Sequence, residues 1–173
     1  MNIKRLLAVL LAAVMLIALL PATNAAAAEN EVVLRFLVAS DIHLTDNPND
    51  KQAQMLQGMF ASAYAYADTQ SYTAVDAVVL VGDIVCLGEP SEYASLSSAL
   101  DAANLREETE VLTLMGNHEW WRYTNNAMTD LGATSYLNAL AGIDAITEKG
   151  VNWSKSIGGF RFIGMSPLSD DTY

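Results

Sequence analysis

Asp76 to Asp83, DAVVLVGD, is the stretch that decides the fold class of this sequence. Its apolar part, Ala77 to Val81, is short and rich in β-branched valine, which predicts a strand rather than a helix. No polar residue interrupts the run, so the strand should be buried on both faces, as strands of a parallel sheet are. Gly82 then permits a tight turn and brings the backbone close to the Asp83 carboxylate.

Two further apolar runs lie on either side of this stretch. Upstream is Glu31 to Ser40 (EVVLRFLVAS), and downstream is Val111 to Met115. Between the runs, apolar residues recur at helical spacing from Lys51 to about Asp68, and again after Pro90, which a first helical turn tolerates. The order strand, helix, strand, helix, strand predicts an α/β domain with parallel strands.

The pattern is weaker beyond the third run. Residues 129–142 are partly helical in their spacing of apolar residues. Val151 to Ser156 and Phe160 to Met165 flank two glycines, which predicts a β-hairpin.

Polar clusters follow all three predicted parallel strands. They are Asp41-Ile42-His43, Gly82-Asp83 and Gly116-Asn117-His118-Glu119. The carboxyl ends of parallel strands lie on one edge of a sheet, so clusters that are far apart in sequence should converge in space.

The first two clusters suit cation binding. Asp41 and His43 are two residues apart, and in an extended segment their side chains point to the same side and can bind one cation. The Asp83 carboxylate has two oxygens and can bridge two cations about 3.5–4 Å apart.

The third cluster offers different groups. Asn117 supplies a neutral oxygen for a second cation. His118 could bind metal or donate a proton, and Glu119 could hold its imidazole in one tautomer. Trp120 and Trp121 follow, either as core packing or as a wall of the substrate pocket.

Each cluster also has an ordinary explanation when it is taken alone. An Asp-x-His sequence is common, Gly-Asp after a strand is often a turn or a helix cap, and Gly-Asn-His can be a turn. The joint placement at three strand ends is what favours a functional site.

The set D-x-H, G-D and G-N-H-[D/E] resembles the calcineurin-like metallophosphoesterase superfamily. Gly82 to Tyr93 (GDIVCLGEPSEY) is further similar to the branch with bacterial cyclic-nucleotide phosphodiesterase-like enzymes, and Phe160 to Met165 (FRFIGM) looks like a later strand of that family. The resemblance implies the four-layer α/β/β/α sandwich, of which this chain carries the N-terminal part. It also implies a phosphodiesterase or phosphomonoesterase; the arginine-bearing extension typical of protein phosphatases is absent at Cys86 to Gly88.

By this resemblance, the site uses two divalent metal ions, which mixed ligation by carboxylate, imidazole and amide suggests are Mn, Fe or Zn. Asp41 and His43 would bind the first ion, Asp83 would bridge both, and Asn117 would bind the second. His118 would contact the phosphate and act as general acid or charge stabiliser, with Glu119 beside it.

The sequence departs from the family pattern after these motifs. Relatives supply further histidines from downstream G-H and G-H-x-H motifs, whereas this chain has no histidine after His118 and ends at Tyr173. We therefore expect residues 29–173 to form a C-terminally incomplete domain. The alternative to an active phosphoesterase is a truncated form that binds metal weakly and does not turn over.

Residues 1–28 have the pattern of a signal peptide. Lys4 and Arg5 precede an apolar run from Leu6 to Leu20, and Ala26 to Ala28 make a small-residue cleavage site. The run is shorter than the roughly 20 residues of a spanning helix, so a retained membrane anchor is the weaker interpretation. We expect cleavage after Ala28 and a secreted or extracytoplasmic protein.

The charge limits the class of partner. Removing residues 1–28 leaves seven basic and twenty acidic residues, a net charge of about −13. A nucleic-acid-binding surface would need a basic stripe, so the charge argues against such a surface. The substrate that the resemblance implies is a small-molecule or nucleotide-like phosphoester. The single cysteine, Cys86, excludes an internal disulfide.

Overall fold

The computed structural model describes residues 31–119 and 129–166. The predicted signal peptide, residues 1–28, and the predicted pocket wall at Trp120 and Trp121 lie outside the described residues. Within the described ranges, no helix has the length and apolar character that crossing a membrane requires.

Three parallel strands form the sheet that carries the polar clusters. They are β1 (Phe36–Ala39), β2 (Ala77–Val81) and β3 (Glu110–Leu114), in the order β1-β2-β3. β2 is the central strand of the three, with Ala77 to Leu80 all buried, as the uninterrupted apolar run predicts. The predicted parallel α/β arrangement is confirmed in this part of the chain.

The three helices of the described residues are α1 (Lys51–Ala67), α2 (Pro90–Ala102) and α3 (Thr129–Ala141). The Asp50 side chain caps α1 by accepting a hydrogen bond from the Ala53 N–H at 2.7 Å. Pro90 occupies the first turn of α2, where its missing N–H costs no helical hydrogen bond. Both helices begin where the sequence predicts, at Lys51 and Pro90, because residues that favour a helix N-terminus stand at these positions.

The alternation along β2 divides the core into two clusters. Val78 and Leu80 face the helices and pack with residues such as Phe60, Leu96 and Tyr136. The alternate side chains of the sheet face a hairpin, in a cluster of Ala77, Val79, Leu112, Leu114, Trp153 and Ile157. β2 and β3 are therefore covered on both faces, and each covered valine or leucine side chain contributes about 1.5–3 kcal/mol.

The hairpin consists of β4 (Asn152–Ile157) and β5 (Phe160–Met165), which pair antiparallel. Gly158 and Gly159 form its turn with φ values of +57° and +83°, which few other residues adopt. The Trp153 indole donates a 2.7 Å hydrogen bond to the Thr113 carbonyl and so ties β4 to β3. The predicted hairpin is confirmed, and the four-layer sandwich stays a prediction.

β1 is shorter than predicted. The expected strand covers residues 31–40, whereas β1 covers Phe36–Ala39. A strand needs a hydrogen-bonded neighbour, and β2 is only five residues long. β1 pairs with four of these residues, so the paired segment cannot extend over residues 31–40. Within the described residues β1 lies at one end of the order, and Phe36 and Val38 are exposed.

Candidate metal centre

The three polar clusters meet at the carboxyl edge of the sheet. The Asp41 N–H donates to the Gly82 carbonyl at 3.3 Å, and the His43 N–H donates to the Asp83 carbonyl at 3.0 Å. On the other side, the Gly82 N–H donates to the Leu114 carbonyl at 3.1 Å. The parallel ladder thus continues past the strands into the loops and brings the predicted residues together.

The backbone at these residues differs from the sequence expectation. Asp41, His43 and Asp83 have φ values of 55°, 53° and 50°, in the left-handed region, where each costs about 1–2 kcal/mol. The expectation that Asp41 and His43 lie in an extended segment was wrong. Their side chains nevertheless approach each other, with 4.0 Å between Asp41 Oδ1 and His43 Nε2. Strained residues of this kind concentrate at functional sites.

One group of side chains within the described residues has the geometry of a cation site. His43, Asp83 and His118 each offer one ligand atom, and these atoms lie within 4.8 Å of one another. The two imidazole rings are 4.4 Å apart between centroids, at 77°. An imidazole and a carboxylate, from His43 and Asp83, suit a divalent transition metal, so these donors fit the cation that the resemblance implies. The position of His118 leaves it two roles, as a further ligand or as a group that contacts the substrate.

Asn117 also lies against Asp83. When its side-chain amide is oriented to donate, the nitrogen is 3.2 Å from each oxygen of the Asp83 carboxylate. The His118 N–H donates to Asp83 Oδ1 at 3.0 Å. The Asp83 carboxylate therefore lies near His43 and against Asn117, which is the proximity that a bridging ligand needs.

The His118 imidazole contacts the backbone of the Asp83 loop. Its Nδ1 lies 2.5 Å from the Cys86 carbonyl oxygen. A carbonyl can only accept, so this contact makes Nδ1 the protonated nitrogen and leaves Nε2 for other partners. The Cys86 thiol lies 3.0 Å from the His43 carbonyl oxygen, and partial burial raises its pKa, which favours the neutral thiol.

Glu119 has other partners than the sequence suggested. It was expected to hold the His118 imidazole, but both of its carboxylate oxygens accept backbone N–H groups. The side chain is 1% exposed. Burial raises the pKa of Glu119, and the N–H donors oppose that effect. The sequence carried one signal for this role of Glu119. An acidic residue follows directly after a turn, and the backbone N–H groups of a turn need hydrogen-bond acceptors.

Two glycines let the second and third clusters touch. A Cβ on Gly82 would lie 2.7 Å from the Gly116 Cα, and one on Gly116 would lie 2.2 Å from Asp83 Oδ1. Gly82 also has a φ of +71°. The glycines of the G-D and G-N-H motifs are therefore required by close backbone packing.

The site is open to solvent on the Asp41 side. A groove of about 490 Å³ is lined by Asp41 and His43 and by residues of α1 that include Met55 and Met59. The Asp41 side chain is 69% exposed. Solutes therefore reach the cluster without passing through the core.

Comparison with known proteins agrees with this geometry. A family model described as calcineurin-like phosphoesterase matches residues 34–168, a range that contains the three clusters and every described helix and strand. Neither the curated proteins nor the solved structures contain a significant match. On the family match, the chain belongs to the calcineurin-like phosphoesterases.

Proposed function

We propose that this protein is an exported phosphoesterase that uses two divalent cations to hydrolyse phosphodiesters or phosphomonoesters of small molecules. The observation that carries the proposal is the group formed by His43, Asp83 and His118 at the ends of three parallel strands. Family membership supports the reaction class, which is hydrolysis of phosphoester bonds with divalent metals.

The positions of these side chains support an assignment of the two cation sites. His43 and Asp83, with Asp41 beside them, would hold the first cation. Asp83 and Asn117 would hold the second, with the Asn117 amide turned so that its oxygen rather than its nitrogen faces the cation. Bound divalent cations polarise a phosphate group and activate water for in-line attack on phosphorus. Asp83 is the residue common to both positions because its carboxylate lies within 4.8 Å of a ligand atom of His43 and 3.2 Å from the Asn117 amide.

His118 is proposed as the residue that donates a proton to the leaving oxygen. The Cys86 carbonyl accepts the proton of Nδ1, so the proton that is donated must be carried on Nε2, which requires the cationic imidazolium. A positioned imidazole of this kind contributes about 10²–10⁴-fold to proton transfer.

A hydrolysis assay tests the proposal. The purified chain, stripped of metal and reloaded with Mn²⁺, is expected to release p-nitrophenol from bis(p-nitrophenyl) phosphate. The activity should disappear with a chelator and return with Mn²⁺, and His118→Ala should lower the turnover number. Hydrolysis that is insensitive to the chelator would contradict the proposal.

The second candidate is a chain that binds one cation weakly and does not turn over. The observation that favours it is that residues 31–119 and 129–166 contain one group of three side chains able to hold a metal. Calorimetric titration with Mn²⁺ separates the candidates. Two ions per chain with turnover support the first, and one weakly bound ion without turnover supports the second.

Export is tested by the mature N-terminus. The pattern of residues 1–28 predicts that the secreted protein begins at Glu29, after cleavage behind Ala28. N-terminal sequencing of the protein from the extracytoplasmic fraction measures this. A membrane-bound product that still begins at Met1 would support the anchor instead.

A further inference from the structure

Glu119 is a fully buried carboxylate that contacts the backbone of the turns after β2 and β3. Its side chain is 1% exposed, so it cannot contact a substrate that arrives from solvent. A buried carboxylate is costly unless hydrogen bonds compensate for the lost water. The hydrogen bonds that compensate for the lost water therefore indicate the role of Glu119.

Both oxygens of Glu119 accept backbone N–H groups, and one oxygen spans two motifs. Oε2 accepts from the Asp83 N–H at 3.0 Å and from the Gly116 N–H at 2.6 Å. Oε1 accepts from the Ile84 N–H at 2.8 Å and the Val85 N–H at 3.2 Å. The turn after β2 and the turn after β3 are therefore joined through a single carboxylate.

We propose that Glu119 is a positioning residue: its carboxylate sets the separation of the two turns, and so the spacing of Asp83 from Asn117 and His118. The proposal rests on the proposed function, since it assigns a role in holding the cation-binding groups. It replaces a direct action of Glu119 on the His118 imidazole.

A carboxylate is the side chain that these donors require. Four N–H groups converge, and an ionised carboxylate provides acceptors only. Glutamine of the same shape would turn an NH₂ group towards two of the donors and leave them unpaired. An apolar residue would leave all four unpaired, at the full cost of desolvation.

Asp76 supplies a matched control. Its carboxylate also accepts hydrogen bonds, from the Arg35 N–H at 2.7 Å and from the Tyr72 hydroxyl at 2.5 Å. Asp76 directly precedes β2, so it lies at the opposite end of that strand from Asp83 and joins neither motif turn. Asp76→Asn should destabilise the fold without moving the site.

The experiment compares Glu119→Gln and Asp76→Asn with the unchanged protein at a temperature where circular dichroism shows all three folded. Cobalt(II) affinity is measured by titration, together with the visible spectrum of the bound ion. Imidazole nitrogen shifts are measured by NMR on the metal-free proteins, where the chain's two histidines, His43 and His118, give few signals.

We expect Glu119→Gln to lower cobalt affinity about 10–100-fold, the range for partners that orient ligands, and to shift the His118 resonances. Asp76→Asn should leave the affinity within about threefold and the resonances unchanged, because distant sites act independently. A folded Glu119→Gln protein with unchanged affinity, cobalt spectrum and His118 resonances would overturn the proposal.

Two further outcomes are also decisive. If the unchanged protein binds no cobalt, the proposed function fails, and the metal-free His118 and backbone amide shifts alone decide the positioning role. If Glu119→Gln does not fold, Glu119→Asp keeps the charge on an arm one methylene shorter. We expect it to show a smaller loss of affinity and a smaller shift, and a spectrum and affinity equal to those of the unchanged protein would overturn the proposal.

Discussion

Asp83→Asn is expected to abolish cation binding by this protein. Asparagine has the same shape and can still accept the His118 N–H that Asp83 Oδ1 accepts at 3.0 Å, so the fold should persist. It lacks the charge, and one of the two oxygens that a bridging ligand needs. Losing a residue that only orients a metal ligand lowers metal affinity about 10–100-fold. Asp83 is proposed as a ligand itself, so we expect its loss to lower Mn²⁺ affinity by more than about 100-fold. Titration calorimetry measures it.

Asp101→Asn is the control for the Asp83 variant. Asp101 is exposed on α2 and remote from the motif turns, so this change alters the net charge equally and should leave the affinity unchanged. Near-normal binding by Asp83→Asn, with about two ions per chain, would refute the bridging role.

His118→Ala distinguishes the two roles that the geometry leaves for His118. As the proton donor, His118 is dispensable for binding, so the affinity should stay within about threefold while turnover falls by about 10²–10⁴-fold. A loss of affinity as large as that of Asp83→Asn would instead make His118 a ligand.

Gly82→Ala is expected to have the largest effect on stability. The added Cβ would lie 2.7 Å from the Gly116 Cα and 2.8 Å from its nitrogen, both of which are backbone atoms that cannot swing away. The left-handed φ of +71° adds a further cost. We expect the free energy of unfolding to fall by about 3 kcal/mol, combining backbone strain with overpacking. Urea denaturation measures it.

Gly58→Ala is expected to change the stability of the protein in the opposite direction to Gly82→Ala. Gly58 is exposed in the middle of α1, and a Cβ there would meet nothing within 4 Å. Alanine should therefore raise the free energy of unfolding by about 0.5–1 kcal/mol, because glycine is a poor helix former. Equal and small changes in the two variants would show that the Gly82–Gly116 contact is not tight.

The strands and their order were predictable because their signals are local. The run from Ala77 to Val81 is apolar without interruption, and it forms the strand with both faces covered. The start at Pro90 and the two glycines of the hairpin mark element boundaries that the structure reproduces. Parallel pairing then follows from the alternation of strands and helices, and with it the convergence of the polar clusters.

The finer geometry of the site was not predictable from local signals. Left-handed backbone at Asp41 and His43 depends on hydrogen bonds to the Asp83 loop, which is distant in sequence. The direction of Glu119 depends on the N–H groups of that same loop. The backbone conformation of Asp41 and His43 and the partners of Glu119 are both set by tertiary contacts, which override the intrinsic preference of each residue.

The most direct test of the account is to locate the bound cation. Crystals of the Mn²⁺-loaded protein, measured near the manganese absorption edge, give an anomalous map that shows the metal independently of the protein. We predict a manganese peak in contact with the side chains of His43 and Asp83, the pair that links the first two strand ends. Manganese bound elsewhere at saturating concentration, with His43 and Asp83 free of it, would contradict the central claim.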